Sequence, residues 1–241
     1  MLRKIIIGVF LIVLGIFIFG FFSNGKDEFI KNIKPKGNTP LQSIGAPPCP
    51  DPLTLQTPVD LSKVTSILYP GQERGGDFKP HGGFRFDNAK NNDIEVRIPM
   101  DAYITDGVRY IEMEEVQYMF DFQNDCGVRY RFDHLLVLSP KLAEIAEGLP
   151  EAKVDDSRTT HINKQIKVTA NEVIATAVGL RNNKNVFVDF GVYDMRGKIF
   201  SSPRDNAVCW FDLLSPEDSA KVKSLPPGDS VSGSKSTLCK P

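Results

Sequence analysis

The sequence predicts a mainly β, antiparallel-sheet domain with two short helices, preceded by one transmembrane helix. Three observations predict it. From Val59 onward the chain is a succession of short apolar runs broken by turn signals such as Tyr69-Pro70-Gly71-Gln72 and Arg74-Gly75-Gly76-Asp77, several of them alternating apolar with polar residues. Only two stretches carry helix-start signals, near Ser139 and Ser215. Ahead of them, residues 5–22 contain nothing but Ile, Val, Leu, Phe and Gly. The expected organisation is an anchor over 1–25, a tether over 26–58, a β domain over 59–200 and a C-terminal extension with a short helix over 201–241.

The apolar run 5–22 is just long enough, at helical rise, to cross a hydrocarbon core, and Arg3 and Lys4 precede it. A cleaved signal peptide has a shorter apolar region and a small-residue cleavage site, whereas this run ends in Gly20-Phe21-Phe22-Ser23-Asn24. An uncleaved signal anchor is the favoured reading, with a cleaved signal peptide as the alternative. Lys26, Lys31, Lys34 and Lys36 outnumber the basic residues before the span, so the charge rule leaves its orientation open. Residues 26–58 are rich in Lys, Pro, Gly and Asn, with Ala46-Pro47-Pro48-Cys49-Pro50-Asp51-Pro52 as the stiffest piece. Prolines remove backbone donors and fix φ, so this stretch is expected as an extended tether, not a packed element.

Strands are expected at 83–86, 94–98, 102–105, 107–112, 115–122 and 128–133. A helix follows, with Ser139 as N-cap and Pro140 in the first turn, running to about Gly148. After a polar stretch at 155–160, strands resume at 165–168, 173–178 and 185–193, with a short one at 198–200. The last helix spans 215–225, where Ser215 and Asp218 form a capping box and Pro226-Pro227 stops it.

The 29 basic and 30 acidic residues leave a formal net charge of -1, so no global field draws the chain to nucleic acid. Cys49, Cys126, Cys209 and Cys239 lack the spacing of a zinc knuckle or a redox dithiol. Structural disulfides are the natural reading and free thiols the alternative. Cys239 lies in a Gly/Ser-rich tail with little apolar content, so a bond to Cys209 is the preferred one of the possible pairings. Disulfides would place the domain outside the cytoplasm.

The residues with chemical promise are His81, in Pro80-His81-Gly82-Gly83-Phe84-Arg85-Phe86-Asp87, His134, in Phe132-Asp133-His134-Leu135, and Asp189, in Val186-Phe187-Val188-Asp189-Phe190. Each sits near an expected strand, so all three converge if the strands share one sheet. Each also has a plainer reading: His81 as an exposed turn residue, His134 as a hydrogen-bonded strand histidine. His161 lies in a polar stretch and stays outside the site, and Glu112-Met113-Glu114-Glu115 reads as a solvated hairpin tip. There is no Gly-x-Ser-x-Gly elbow, no phosphate-binding loop and no dinucleotide fingerprint.

Pro80-His81-Gly82-Gly83-Phe84 resembles the first zinc motif, His-x-Gly-hydrophobic-Asp, of the lysostaphin-type metallo-endopeptidases, which cut peptidoglycan. Val96-Arg97-Ile98-Pro99-Met100-Asp101-Ala102 is similar to that family's Val-x-Ala-Pro-x-Asp-Gly turn, and Tyr130-Arg131-Phe132-Asp133-His134-Leu135 to its Tyr-x-His-Leu segment. The hairpin at 168–179 and the strand at 186–192 fall where Val-x-x-Gly-x-x-Ile-Ala-x-x-Gly and His-Leu-His-Phe-Glu-Val would be. Order and rough spacing agree from about Leu68 to Asp194. The resemblance implies a lysostaphin-peptidase-like β-sheet fold, a zinc ion and a cell-envelope location.

The departures fall on the metal. The resemblance assigns zinc to His81, to the position of Arg85 and to that of Asp189, with His134 working on water or the oxyanion. A catalytic zinc takes about three protein ligands plus a water. Arg85 cannot become a ligand, and Phe187 and Asp189 replace both histidines of His-x-His. Asp87 is the nearest spare carboxylate, but two residues along a strand place it about 7 Å farther on. The expectation is therefore a membrane-anchored, extracytoplasmic, pseudopeptidase-like binding or scaffolding protein of the cell envelope with a degenerate zinc site and no cofactor. Its partner would be a peptide, glycan or protein. The alternative is an active peptidoglycan zinc endopeptidase with an altered site of His81, Asp189 and His134.

Overall fold

The computed structural model describes residues 48–198, 201–228 and 236–239, all within one unit spanning 42–241. The expected anchor and most of the tether lie outside the described residues. Among the described residues no helix is long and apolar enough to cross a membrane.

Alternating apolar positions generate a long meander: β6 (Ala102–Glu112), β7 (Glu115–Gln123) and β8 (Val128–Leu138). Met113 and Glu114, both at positive φ, form the two-residue turn between β6 and β7, the geometry that matches strand twist in tight hairpins. Around this meander the sheet continues with β1 (Ser66–Leu68), β4 (Gly82–Arg85), β9 (Thr160–Val168) and β11 (Phe187–Asp194), in the order β1-β4-β11-β8-β7-β6-β9, every neighbour antiparallel. β10 (Val173–Val178) pairs with the far end of β8 and with β5 (Val96–Arg97). A separate hairpin is made by β2 (Gln72–Arg74) and β3 (Asp77–Lys79). Two short helices complete the described fold: α1 (Pro140–Glu147), capped by Ser139, and α2 (Pro216–Ser224), capped by Ser215.

One face of the sheet is aromatic. Phe84, Phe120, Phe122, Tyr130, Phe132 and Phe190 are fully buried there. Phe132 stacks on Phe190 with ring centroids 4.9 Å apart, and Trp210 closes the layer at 4.9 Å from Phe84 and 5.2 Å from Phe190.

Several boundaries differ from the sequence reading. The strands expected at 102–105 and 107–112 are one strand, β6, with a register shift between Ile104 and Asp106. β8 runs past Asp133 because it carries a bulge: Tyr118 pairs with Leu135 and Phe120 with Phe132, so Asp133 and His134 together oppose Met119. His134 takes φ 61 to make the extra step, which breaks the two-residue period on which the sequence reading relied. β9 starts at Thr160, inside the stretch read as a polar loop, and bulges so that Ile162 to Gln165 stand opposite Thr105 alone. Lys198 lies in no strand, and 199–200 fall outside the described residues.

The body also reaches beyond both expected ends. Cys49 is bonded to Cys126, Leu55 is 1% exposed, and the Leu55 and Gln56 amides donate to the Leu213 and Pro99 carbonyls. The last part of the expected tether is thus packed, because a disulfide and apolar Leu55 give it something to bury. At the other end Trp210 and Phe211 enter the common core, and Cys209 is bonded to Cys239. The segment read as an extension carries the largest side chain of that core.

Candidate functional site

Antiparallel pairing brings the predicted residues together. Asp189 on β11 stands between Gly83 of β4 and Asp133 of β8, and Phe187 stands beside Arg85. His81, one residue before β4, turns onto the same face, with its Nε2 3.0 Å from Asp189 Oδ2. Two glycines make room. A Cβ on Gly83 would fall 2.5 Å from the Val188 carbonyl oxygen and 2.9 Å from Asp189 Oδ1, and one on Gly191 would fall 2.8 Å from His81 Cβ. The second glycine of the His-Gly-Gly motif therefore serves the approach of β11 to β4.

The pair lies on the floor of a cleft of about 640 Å³. Burial alone would raise the Asp189 carboxyl, but the charge of His81 and its hydrogen bond, with His134 and Arg74 behind them, hold it down at about 2. Arg74, from the β2–β3 hairpin, also donates to the His81 carbonyl oxygen at 3.2 Å and the Tyr69 carbonyl oxygen at 3.1 Å, fixing the backbone that presents the histidine.

Across the floor the bulge in β8 aims Asp133 and His134 into the same cleft, although they are adjacent in sequence. Asp133 Oδ1 holds the bulge by accepting from the His134 amide at 2.7 Å and from the Tyr110 hydroxyl at 2.7 Å. Burial and the Asp133 charge push the Tyr110 hydroxyl far above its usual range, so it stays a donor. The His134 ring sits 4.3 Å from Phe187, and its Nδ1 lies 3.8 Å from Glu112 Oε2, beyond hydrogen-bond reach. Further along the floor Arg131 clamps the Asp121 carboxylate with two hydrogen bonds, at 2.8 and 2.7 Å, and Arg129 adds a third at 2.9 Å. Burial would raise the Asp121 carboxyl, yet the two guanidinium groups keep it below the usual carboxylate range.

His81, Asp189, His134 and Arg85 all line this cleft. Asp87 does not join them. It accepts from Thr65 Oγ1 at 2.7 Å and pairs with Arg85 at 3.3 Å on the exposed side of β4. His161 is on β9, 3.3 Å from Asp106, outside this cleft. Of the cleft residues not foreseen, Arg131 and Asp133 were visible as the polar positions of an alternating strand; Tyr110 and Glu112 arrive through long-range register and had no local signal.

The donor set fits zinc poorly. Asp189 Oδ2 is already taken by His81, and Arg85 occupies the position where the resemblance places a carboxylate. Among the described residues no three His, Cys, Asp or Glu side chains gather closely enough to hold a metal ion. What the arrangement offers chemically is a polar cleft with hydrogen-bonding groups and charges of both signs.

Comparison with known proteins identifies no relative. No family model matches the chain, and neither a curated protein nor a solved structure does.

Proposed function

We propose that this chain is a membrane-anchored, extracytoplasmic binding or scaffolding protein of the cell envelope, built on a lysostaphin-peptidase-like domain whose zinc site is degenerate. The observation that carries the reading is the closed His81–Asp189 pair, 3.0 Å apart, with the Arg85 guanidinium in the same cleft. A guanidinium repels a dication and cannot be deprotonated to ligate one. The cleft keeps the volume and polar lining suited to a peptide, glycan or protein segment. Two disulfides, Cys49–Cys126 and Cys209–Cys239, favour an oxidising compartment, and the uncharged run 5–22 favours anchoring in a membrane.

The second reading is a zinc endopeptidase with an altered site. In its favour, Asp189 Oδ1 and His134 Nδ1 are buried without hydrogen-bond partners. Metal content separates the two. The full chain, purified without a metal-affinity tag and incubated with zinc, is expected to carry well below one equivalent by inductively coupled plasma mass spectrometry. Near-stoichiometric zinc, lost in His81→Ala, would overturn the degenerate-site reading and favour the peptidase. The protein should start upstream of Cys49, because a fragment beginning at Val59 would lose the Cys49–Cys126 bond and Leu55 from the core.

A further inference from the structure

The charges in the middle of the cleft are paired within it and those at its two ends are only loosely so. At the centre Asp189 is held by His81, Asp133 by Tyr110 and the His134 amide, and Arg131 by Asp121. At the β4 side Arg85 and Lys79 have only loose neighbours. Asp87 and Asp77 stand 3.3 and 3.7 Å away, with side chains 52% and 75% exposed. At the β6 side the Glu112 carboxylate is 37% exposed and 3.8 Å from His134 Nδ1. Pairs of that kind are screened by water and leave their charges available. The cleft is therefore cationic at one end and anionic at the other.

We infer that the cleft takes a short extended peptide in one direction, its free carboxylate at Arg85 and its free amine at Glu112. The inference rests on the binding reading above and names the ligand's end groups. Contacts across the floor set the span. Glu112 Oε2 lies 3.8 Å from His134 Nδ1, the His134 ring lies 4.3 Å from Phe187, and Phe187 pairs with Arg85 one strand over, so with about 4.8 Å for that last spacing the ends stand roughly 13 Å apart. An extended chain advancing about 3.3–3.6 Å per residue covers that distance with about four residues. Two buried groups on the floor wait for partners: Asp189 Oδ1 and His134 Nδ1, on residues 8% and 9% exposed. Asp189 Oδ1 can accept a backbone N–H of the peptide, and His134 Nδ1 can bond its backbone or a side-chain hydroxyl. Phe187 beside His134 gives the middle of the peptide an apolar surface. The reversed peptide would set carboxylate against carboxylate at Glu112 and amine against guanidinium at Arg85, a repulsion that selects direction.

The probe is a pool of tetrapeptides randomised over uncharged residues and prepared in four forms: both ends free, amino end acetylated, carboxyl end amidated, and both blocked. Retention by the full chain is read by mass spectrometry. Amidation is expected to lower retention by wild type at least tenfold, with no further effect in Arg85→Gln and the full effect kept in Arg85→Lys. Acetylation is expected to lower it comparably, with no further effect in Glu112→Gln. Lys79→Gln and Glu112→Asp serve as second variants if either first choice fails to fold. Equal retention of all four forms by wild type would overturn the polarity and leave the binding reading standing. Retention of none would overturn the peptide proposal as a whole, and a loss of the amidation effect in Glu112→Gln instead of Arg85→Gln would overturn its direction.

Discussion

The two faces of the same strands differ in how they are held. On β8, Tyr130 and Phe132 point into a dry aromatic layer, while Arg131 and Asp133, one residue out of phase, line the floor of the cleft. The apolar face is stabilised by area removed from water and tolerates no loss of volume. The polar face is stabilised only by the completeness of its pairings, and each buried charge there depends on a named partner. Strand alternation keeps the two separate, so the cleft could change its chemistry without disturbing the core.

Truncation of the apolar face should break the comparison most severely. Phe190 is fully buried between Phe132, Phe84 and Trp210. Phe190→Ala should cost about 4 kcal/mol in a urea melt, from lost transfer free energy plus the cavity left behind. On the polar face the largest single loss should come from Asp121→Asn. Its carboxylate is fully buried between Arg129 and Arg131, and removing its charge strands the Arg131 guanidinium and leaves Arg129 with Asp106 alone, at about 3 kcal/mol. Replacing the whole cluster with apolar residues of similar volume should cost less than this one substitution, which the same melts would check.

The contrast between faces also explains what could be read from the chain. β7 and β11 were legible because neither carries an extra residue in its ladders and the Glu112 to Glu115 turn is short, whereas the extra residue at Thr105 made β6 read as two strands. The far half of β8 was not, since a single bulged residue, His134, shifts every later side chain to the opposite face. Leu55 and Trp210 were not placed in the core because their burial depends on chain segments tied by Cys49–Cys126 and Cys209–Cys239. At the site, His81 and Asp189 met as the sheet reading required. Arg74 could not be foreseen, since its reach to the His81 carbonyl comes from the β2–β3 hairpin folding back over β4.

A smaller effect, dependent on pH, should distinguish Asp189 from the exposed carboxylates. Its folded-state value of about 2 lies below the ordinary 3.8. A carboxyl held low in the folded state stabilises that state above its ordinary value, and the contribution fades as pH falls from 3.8 toward 2. At about 1.4 kcal/mol per pKa unit the loss should be about 2 kcal/mol. Asp189→Asn should lack that component, so wild type and variant should converge in urea midpoint between pH 4 and pH 2, on the order of the carboxylate titration range. Parallel curves over that range would show that the His81 pairing contributes nothing to stability.

The smallest expected stability effect belongs to Arg85. Its pairing with Asp87 spans 3.3 Å, and the Asp87 side chain is 52% exposed, so Arg85→Gln should move the melt by no more than about 0.5 kcal/mol. The same residue lines the cleft beside Phe187, where its charge has no tight internal partner. A residue that matters little to folding yet carries a charge into a cleft is free to serve recognition. If Arg85→Gln instead destabilised the fold by as much as Asp121→Asn, Arg85 would be part of the structural charge network and the cationic end of the cleft would have to be sought in Lys79.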